Sequence, residues 1–84
     1  MQKEFNFIYD KLVTDRNDIL GHIAYSIYKQ EKTAFIKSKE EKGETISRNI
    51  LDPFHEISAS NASIESYKIK AELVMQVFFR KYYK

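Results

Sequence analysis

The sequence predicts an all-α fold, a small antiparallel helical bundle of three main helices and one short broken helix. Three observations carry that reading. Apolar residues recur at spacings of three and four through long stretches instead of alternating. Glycine occurs only twice and proline once, which leaves little punctuation for a turn-rich β fold. Polar clusters suited to helix caps (TDRND, KGET and SASNAS) separate the apolar stretches.

The first helix is expected over residues 3–13, where Phe5, Ile8, Tyr9 and Leu12 share a face. The connection at 14–18 is short enough to fold it back antiparallel on the next helix. A central helix follows over 17–42. At 100° per residue, Leu20, Ile23, Ala24, Ile27, Ala34 and Phe35 fall on one arc, with Ile19 and Tyr28 at its edges. Thr14 and Asp15 are the expected N-caps, and Asp18 adds a carboxylate near the positive end of the helix dipole. Lysines crowd the far end, and Gly43 suits the left-handed position after it. Glu31 projects into the apolar arc. It is expected to snorkel out or to pair with a lysine, the alternative being a buried acid that specifies a partner.

Ile46, Ile50, Phe54 and Ile57 keep helical spacing, but Pro53 interrupts them. The expectation is a short helix near 46–51, a break, and a further turn at 53–57 with Asp52 as N-cap. Ser60 or Asn61 then caps the last helix, over 62–82, with Glu65 in its first turn. That helix has a seam of Ile64, Tyr67, Ala71, Val74, Phe78 and Tyr82 with Met75 beside it, and a second row, Ile69, Leu73 and Val77, on nearly the opposite flank. Two apolar sides require two covers. The first and central helices are expected to supply them; the alternative is that the second row meets a partner, or a second copy in a homodimer through the last helix.

Composition bounds the function. The 84 residues make a single helical domain, 1–84, able to bury little more than half of its unfolded surface. The absence of cysteine excludes a disulfide framework and any thiolate metal site. A net charge of +2 is too slight to argue for nucleic acid by itself. No apolar run approaches the length needed to span a bilayer, and no signal-peptide core is visible, so a soluble cytoplasmic protein without membrane insertion is expected. His22 and His55 have no metal-like companions, and there is neither a Gly-rich phosphate loop nor a supported Ser-His-Asp set. No catalytic residue, metal or cofactor is therefore assigned.

Surfaces remain. On the central helix, His22, Tyr25, Lys29, Lys32 and Ile36 share a line away from the apolar arc, a candidate protein-binding face. Ile69, Leu73 and Val77 form the second candidate. The C-terminal VFFRKYYK interleaves aromatics with cations. Phe79, Arg80, Lys81 and Tyr83, joined by Lys68, suit single-stranded RNA, which binds by base stacking and phosphate contact. Arg16…His22 and Arg48…His55 resemble the Arg-x(4–6)-His signature of HEPN-type ribonucleases. That resemblance implies a cation to steady a phosphorane and an imidazole for acid–base work. The chain departs from the pattern: Arg16 falls at or before a helix start, and Pro53 lies between Arg48 and His55.

The run DILGHIAYSIYKQEKTAFI, then FHEIS, then IESYKIKAE resembles the N-terminal helical region of small uncharacterised bacterial membrane-tethered proteins. Those carry a D-x-x-G-H-I-A-Y-S-x-Y-K stretch, an F-H doublet and a Y-x-x-K-A segment before a membrane helix. The likeness spans residues 9–75 and carries no catalytic assignment. It implies a detached soluble version of a tethered module, of the kind that competes for the module's partner. The expected function is thus a non-enzymatic protein-interaction module. One concrete form is a phage or mobile-element inhibitor or accessory factor of a larger bacterial protein or ribonucleoprotein, such as an RNA-guided nuclease. An RNA-binding module and a HEPN-like ribonuclease are the alternatives.

Overall fold

The longest helix starts on a carboxylate. In the computed structural model, which describes residues 3–82 and side chains from residue 8 onward, Asp18 Oδ1 accepts the Gly21 N–H at 2.9 Å. Its Oδ2 accepts the Thr14 N–H and hydroxyl at 3.0 and 3.1 Å. These bonds, the Thr14 amide first and the Gly21 amide next, hold the Asp18 carboxyl below the usual carboxylate range. Asp18, not Thr14 or Asp15, is therefore the N-cap of α2 (Ile19–Glu41). Asp15 is used locally, its carboxylate accepting the Asn17 N–H at 2.7 Å inside the turn. At the other end Gly43 takes φ +83°, and Gly43 and Glu44 donate to the Glu40 and Lys39 carbonyls at 2.9 and 3.1 Å. That Schellman arrangement satisfies carbonyls the helix leaves open.

The fold class expected from sequence holds: the described residues form four helices and no strand. α1 (Lys3–Leu12) returns against the start of α2, where Gly21 is buried beside Leu12. A β-carbon at Gly21 would strike both the Leu12 carbonyl and the Asp18 carboxylate, so this approach requires glycine. Ile8, Leu12 and Val13 are buried there; Phe5 lies outside the described side chains.

α3 (Arg48–Ser58) is one continuous helix with Pro53 inside it, so the expected break does not occur. Proline removes one interior hydrogen bond, normally a cost of about 3 kcal/mol. Here Asp52 and Pro53 face solvent, while Phe54 stacks on Phe35 (centroids 4.7 Å, planes 23° apart) and on Tyr28 (6.1 Å, 25°). Continuing the helix across Pro53 is what delivers Phe54 to that stack.

α4 (Asn61–Tyr82) starts on Ser60, whose hydroxyl accepts the Ser63 N–H at 3.3 Å. Glu65 lies beyond the first turn. The helix runs back along α2 in the antiparallel sense: Ser63 borders a cleft with Phe35, and Glu72 borders one with Leu20. Glu31 meets Lys70 across this contact at 2.8 Å with both side chains partly exposed, the lysine-paired form of the expectation.

All four helices share one core. Its largest fully buried side chain is Tyr28, 1% exposed, in one cluster with the fully buried Ala24, Ala71 and Leu12. Tyr67 meets it edge-to-face at 5.9 Å and 76°. The apolar arc of α2 is thus centred one step from where periodicity places it. Tyr28 moves from the edge to the middle, while Ile19 and Leu20 are 58% and 40% exposed and Ala34 is also exposed. The Tyr28 hydroxyl makes no hydrogen bond among the described residues. Burial, then the neighbouring Tyr25 and Tyr67, push its ionisation up to about 12.

Candidate functional site

An α-helix advances about 1.5 Å per residue, so the 10 residues of α1 reach less than half as far as the 22 of α4. α2 also runs out: its first turn, Leu20 and Gly21, shares a cleft with Lys68 and Glu72. Beyond Glu72, α4 passes the start of α2. The long axis of the molecule, 47 Å, exceeds the length of any one helix for this reason.

Exposure follows that stagger. On the inner seam, Ile64, Tyr67 and Ala71 pack into the core, whereas Val74, Phe78 and Tyr82 are 48%, 45% and 61% exposed. The expectation that the whole seam is core is corrected for this second half, because the helix outlasts its partners. The second row is open along its full length, with Ile69, Leu73 and Val77 at 50%, 54% and 57%. Neither α1 nor α2 covers it, which overturns the expected two-sided cover. Both helices lie on the Tyr67–Ala71 side of α4. These three branched aliphatic side chains recur every four residues along the exposed side of α4.

The other expected protein-binding line does not form such a surface. Lys32 is buried, and Tyr25 is half-buried, edge-on to Tyr9 at 5.1 Å and 88°. His22 lies 6.2 Å from the Tyr9 ring, and its Nε2 is 3.1 Å from the Arg16 carbonyl oxygen. For His22 and Tyr25 the physical reason is α1, whose Tyr9 packs over this side of α2. Only Lys29 of the four stays exposed, 6.0 Å from the Tyr25 ring.

The RNA-binding candidates spread around α4. Lys68, Phe79, Arg80 and Lys81 are all exposed, but Arg80 and Lys81 project about 100° apart, and Lys68 lies more than three turns from Phe79. Tyr83 lies outside the described residues. The histidine of each Arg/His pair lies against local groups. Arg16 offers His22 its backbone carbonyl, and the His55 ring nitrogens are buried in α3, with Phe54 edge-on at 6.0 Å. No group of three or more potential metal ligands occurs among the described residues, and none of their helices is long and apolar enough to cross a membrane.

A cleft of about 490 Å³ also opens between α2, α3 and the start of α4, walled by Phe35, Ile50, Phe54 and Tyr67, with Glu31 on its rim. Its walls are the core's own aromatic stack.

The chain matches no family model, no curated protein and no solved structure. The residues of the D-x-x-G-H-I-A-Y-S-x-Y-K stretch nonetheless have evident structural work. Asp18 caps, Gly21 admits Leu12, and Ala24 and Tyr28 fill the core. In the later segment, Tyr67 and Ala71 face them and Lys70 pairs with Glu31.

Proposed function

We propose that this chain is a non-enzymatic protein-interaction module whose docking element is the outer face of α4. The observation that carries the reading is the open row Ile69, Leu73 and Val77, each at least half exposed on a helix whose opposite side is anchored by Tyr67 and Ala71. An apolar ridge on a rigid helix binds by laying into the groove of another helix, with side chains four apart as the anchors. Burying the exposed half of three aliphatic side chains contributes a few kcal/mol at about 25 cal/mol per Å². That is enough for a docking contact once the helix itself is pre-ordered by the core.

The test is affinity capture from cell lysate with the wild-type chain and with Leu73→Glu, alongside helicity by circular dichroism. A protein held by the wild type and released by Leu73→Glu at unchanged helicity supports the reading; identical capture by both, with a wild-type chain that stays monomeric, refutes it. The same experiment addresses the narrower form, an inhibitor or accessory factor of a larger protein or ribonucleoprotein. In that form, the captured species is such an assembly and survives nuclease treatment.

A further inference from the structure

The outer row of α4 continues at both ends into charge. Read at steps of four, it is Glu65, Ile69, Leu73, Val77, Lys81, and all five are exposed. Leu73 is its midpoint. Ile69 and Val77 lie four residues either side, and Glu65 and Lys81 eight either side, one acidic and one basic. Reversing the row end for end therefore places acid against base, β-branched against β-branched, and leucine against leucine.

Resting on the docking role proposed above, we infer that the occupant of this row is a second copy of the same chain, packed antiparallel about a two-fold axis at Leu73. A two-fold interface must be self-complementary, each contact occurring twice with the roles exchanged. This row meets that condition in both shape and charge. Leu73 lies beside the partner's Leu73 and Ile69 beside the partner's Val77; each step of four turns about 40° around the helix, so Glu65 and Lys81 flank the crossing, Glu65 on the same edge as the partner's Lys81. The parallel alternative sets Glu65 against Glu65 and Lys81 against Lys81, so charge selects the direction. Rows of side chains four apart interdigitate at a crossing of about −50°, the commonest geometry for helices in contact. The crossing centres the apolar residues and carries the charged ends to the rim. There, charges fix orientation more than they add affinity. Lys81 is already at the surface, its Nζ 5.8 Å from the Tyr82 ring, and needs no core rearrangement to reach across. Lys70, three residues from Leu73 on the same helix, is held by Glu31.

The experiment is sedimentation equilibrium of the purified chain at low salt, with Lys81→Glu, the double exchange Glu65→Lys/Lys81→Glu, and Leu73→Glu. The wild type is expected to show a monomer–dimer equilibrium. Because each contact occurs twice, Lys81→Glu weakens it about tenfold, and the double exchange returns it to within about twofold. Leu73→Glu is expected to be monomeric with unchanged helicity. A wild type that stays monomeric to about 1 mM overturns the inference. So does self-association that ignores Lys81→Glu, or a double exchange that fails to restore it. The docking role is judged separately by capture. A monomeric chain whose captured protein is still lost on Leu73→Glu overturns self-pairing and leaves the docking face standing; one with no such loss overturns both.

Discussion

Tyr28 and Tyr67 meet edge-to-face, 5.9 Å between centroids and 76° between planes, where α2 and α4 pack around Ala24 and Ala71. The Tyr67 hydroxyl donates a long 3.5 Å bond to buried Ser58 of α3, while the Tyr28 hydroxyl makes none among the described residues. The two phenols therefore differ in kind, and substitution separates them. Tyr28→Phe removes a desolvated hydroxyl without a hydrogen bond among the described residues and is expected to leave stability unchanged or raise it by up to about 1 kcal/mol. Tyr28→Ala, which empties the centre of the core, costs about 3–5 kcal/mol. Urea denaturation followed by circular dichroism reads both.

Alkaline pH tests the same burial. The Tyr28 phenol ionises near 12 in the folded chain because burial disfavours its charged form, against about 10 unfolded. A group whose pKa is raised by folding contributes stability that is complete below its unfolded value and lost as pH rises through the folded one. Wild-type stability is thus expected to decline between about pH 10 and pH 12, and Tyr28→Phe to decline less over that window. Denaturation midpoints at pH 9, 10.5 and 11.5, chosen around about pH 10, provide the check.

At the junction of α1 and α2 the expectation runs through Gly21 and Asp18. Gly21→Ala sets a methyl against the Leu12 carbonyl and is expected to cost about 1–3 kcal/mol, read by thermal melting. Asp18 has the opposite sign of shift from Tyr28. Its folded pKa is lowered by the Thr14 and Gly21 amides, so its contribution is complete above the unfolded value of about 3.9 and is lost as pH falls through the lower folded value. Asp18→Asn keeps a capping oxygen but no titration. Its melting temperature should fall less than that of the wild type as pH drops below about 4.

Much of this architecture was legible in the sequence, and the exceptions have physical causes. Gly43 and Ser60 mark helix boundaries by local chemistry, which a single chain displays plainly. Glu31 in an apolar arc signalled a long-range lysine without saying which one, and Lys70 lies 39 residues away. Pro53 misled because its cost is local, whereas its compensation, the stack of Phe54 on Phe35, joins two helices. The line of His22, Tyr25 and Lys32 misled because periodicity separates the sides of a helix but does not say which of them the short α1 will cover. The second row of α4 was visible as a second apolar side. It stays open because α1 and α2 both pack on the Tyr67–Ala71 side, a choice that periodicity does not reveal. Comparing helix lengths identifies Val74 as exposed, where the heptad-like spacing placed it in the core.

The Glu31–Lys70 pair is a small contributor despite its 2.8 Å separation, since both side chains are over 40% exposed. The shared proton-bearing bond raises the Lys70 pKa, yet exposed pairs contribute only about 0.2–1 kcal/mol and are screened by salt. A double-mutant cycle with Glu31→Gln and Lys70→Gln should return a coupling energy in that range at low salt and less at about 1 M.

The claim that α4 has one side for folding and one for docking is tested most directly by the stability of Leu73→Glu at low protein concentration. Denaturation of dilute wild type, Leu73→Glu and Ala71→Glu should give midpoints for the first two that agree within about 0.5 kcal/mol. Ala71→Glu, two residues away but with its side chain in the core, should be destabilised by several kcal/mol or fail to fold. A loss of about 2 kcal/mol or more in dilute Leu73→Glu would show that the row is already buried within the chain, and would contradict the claim.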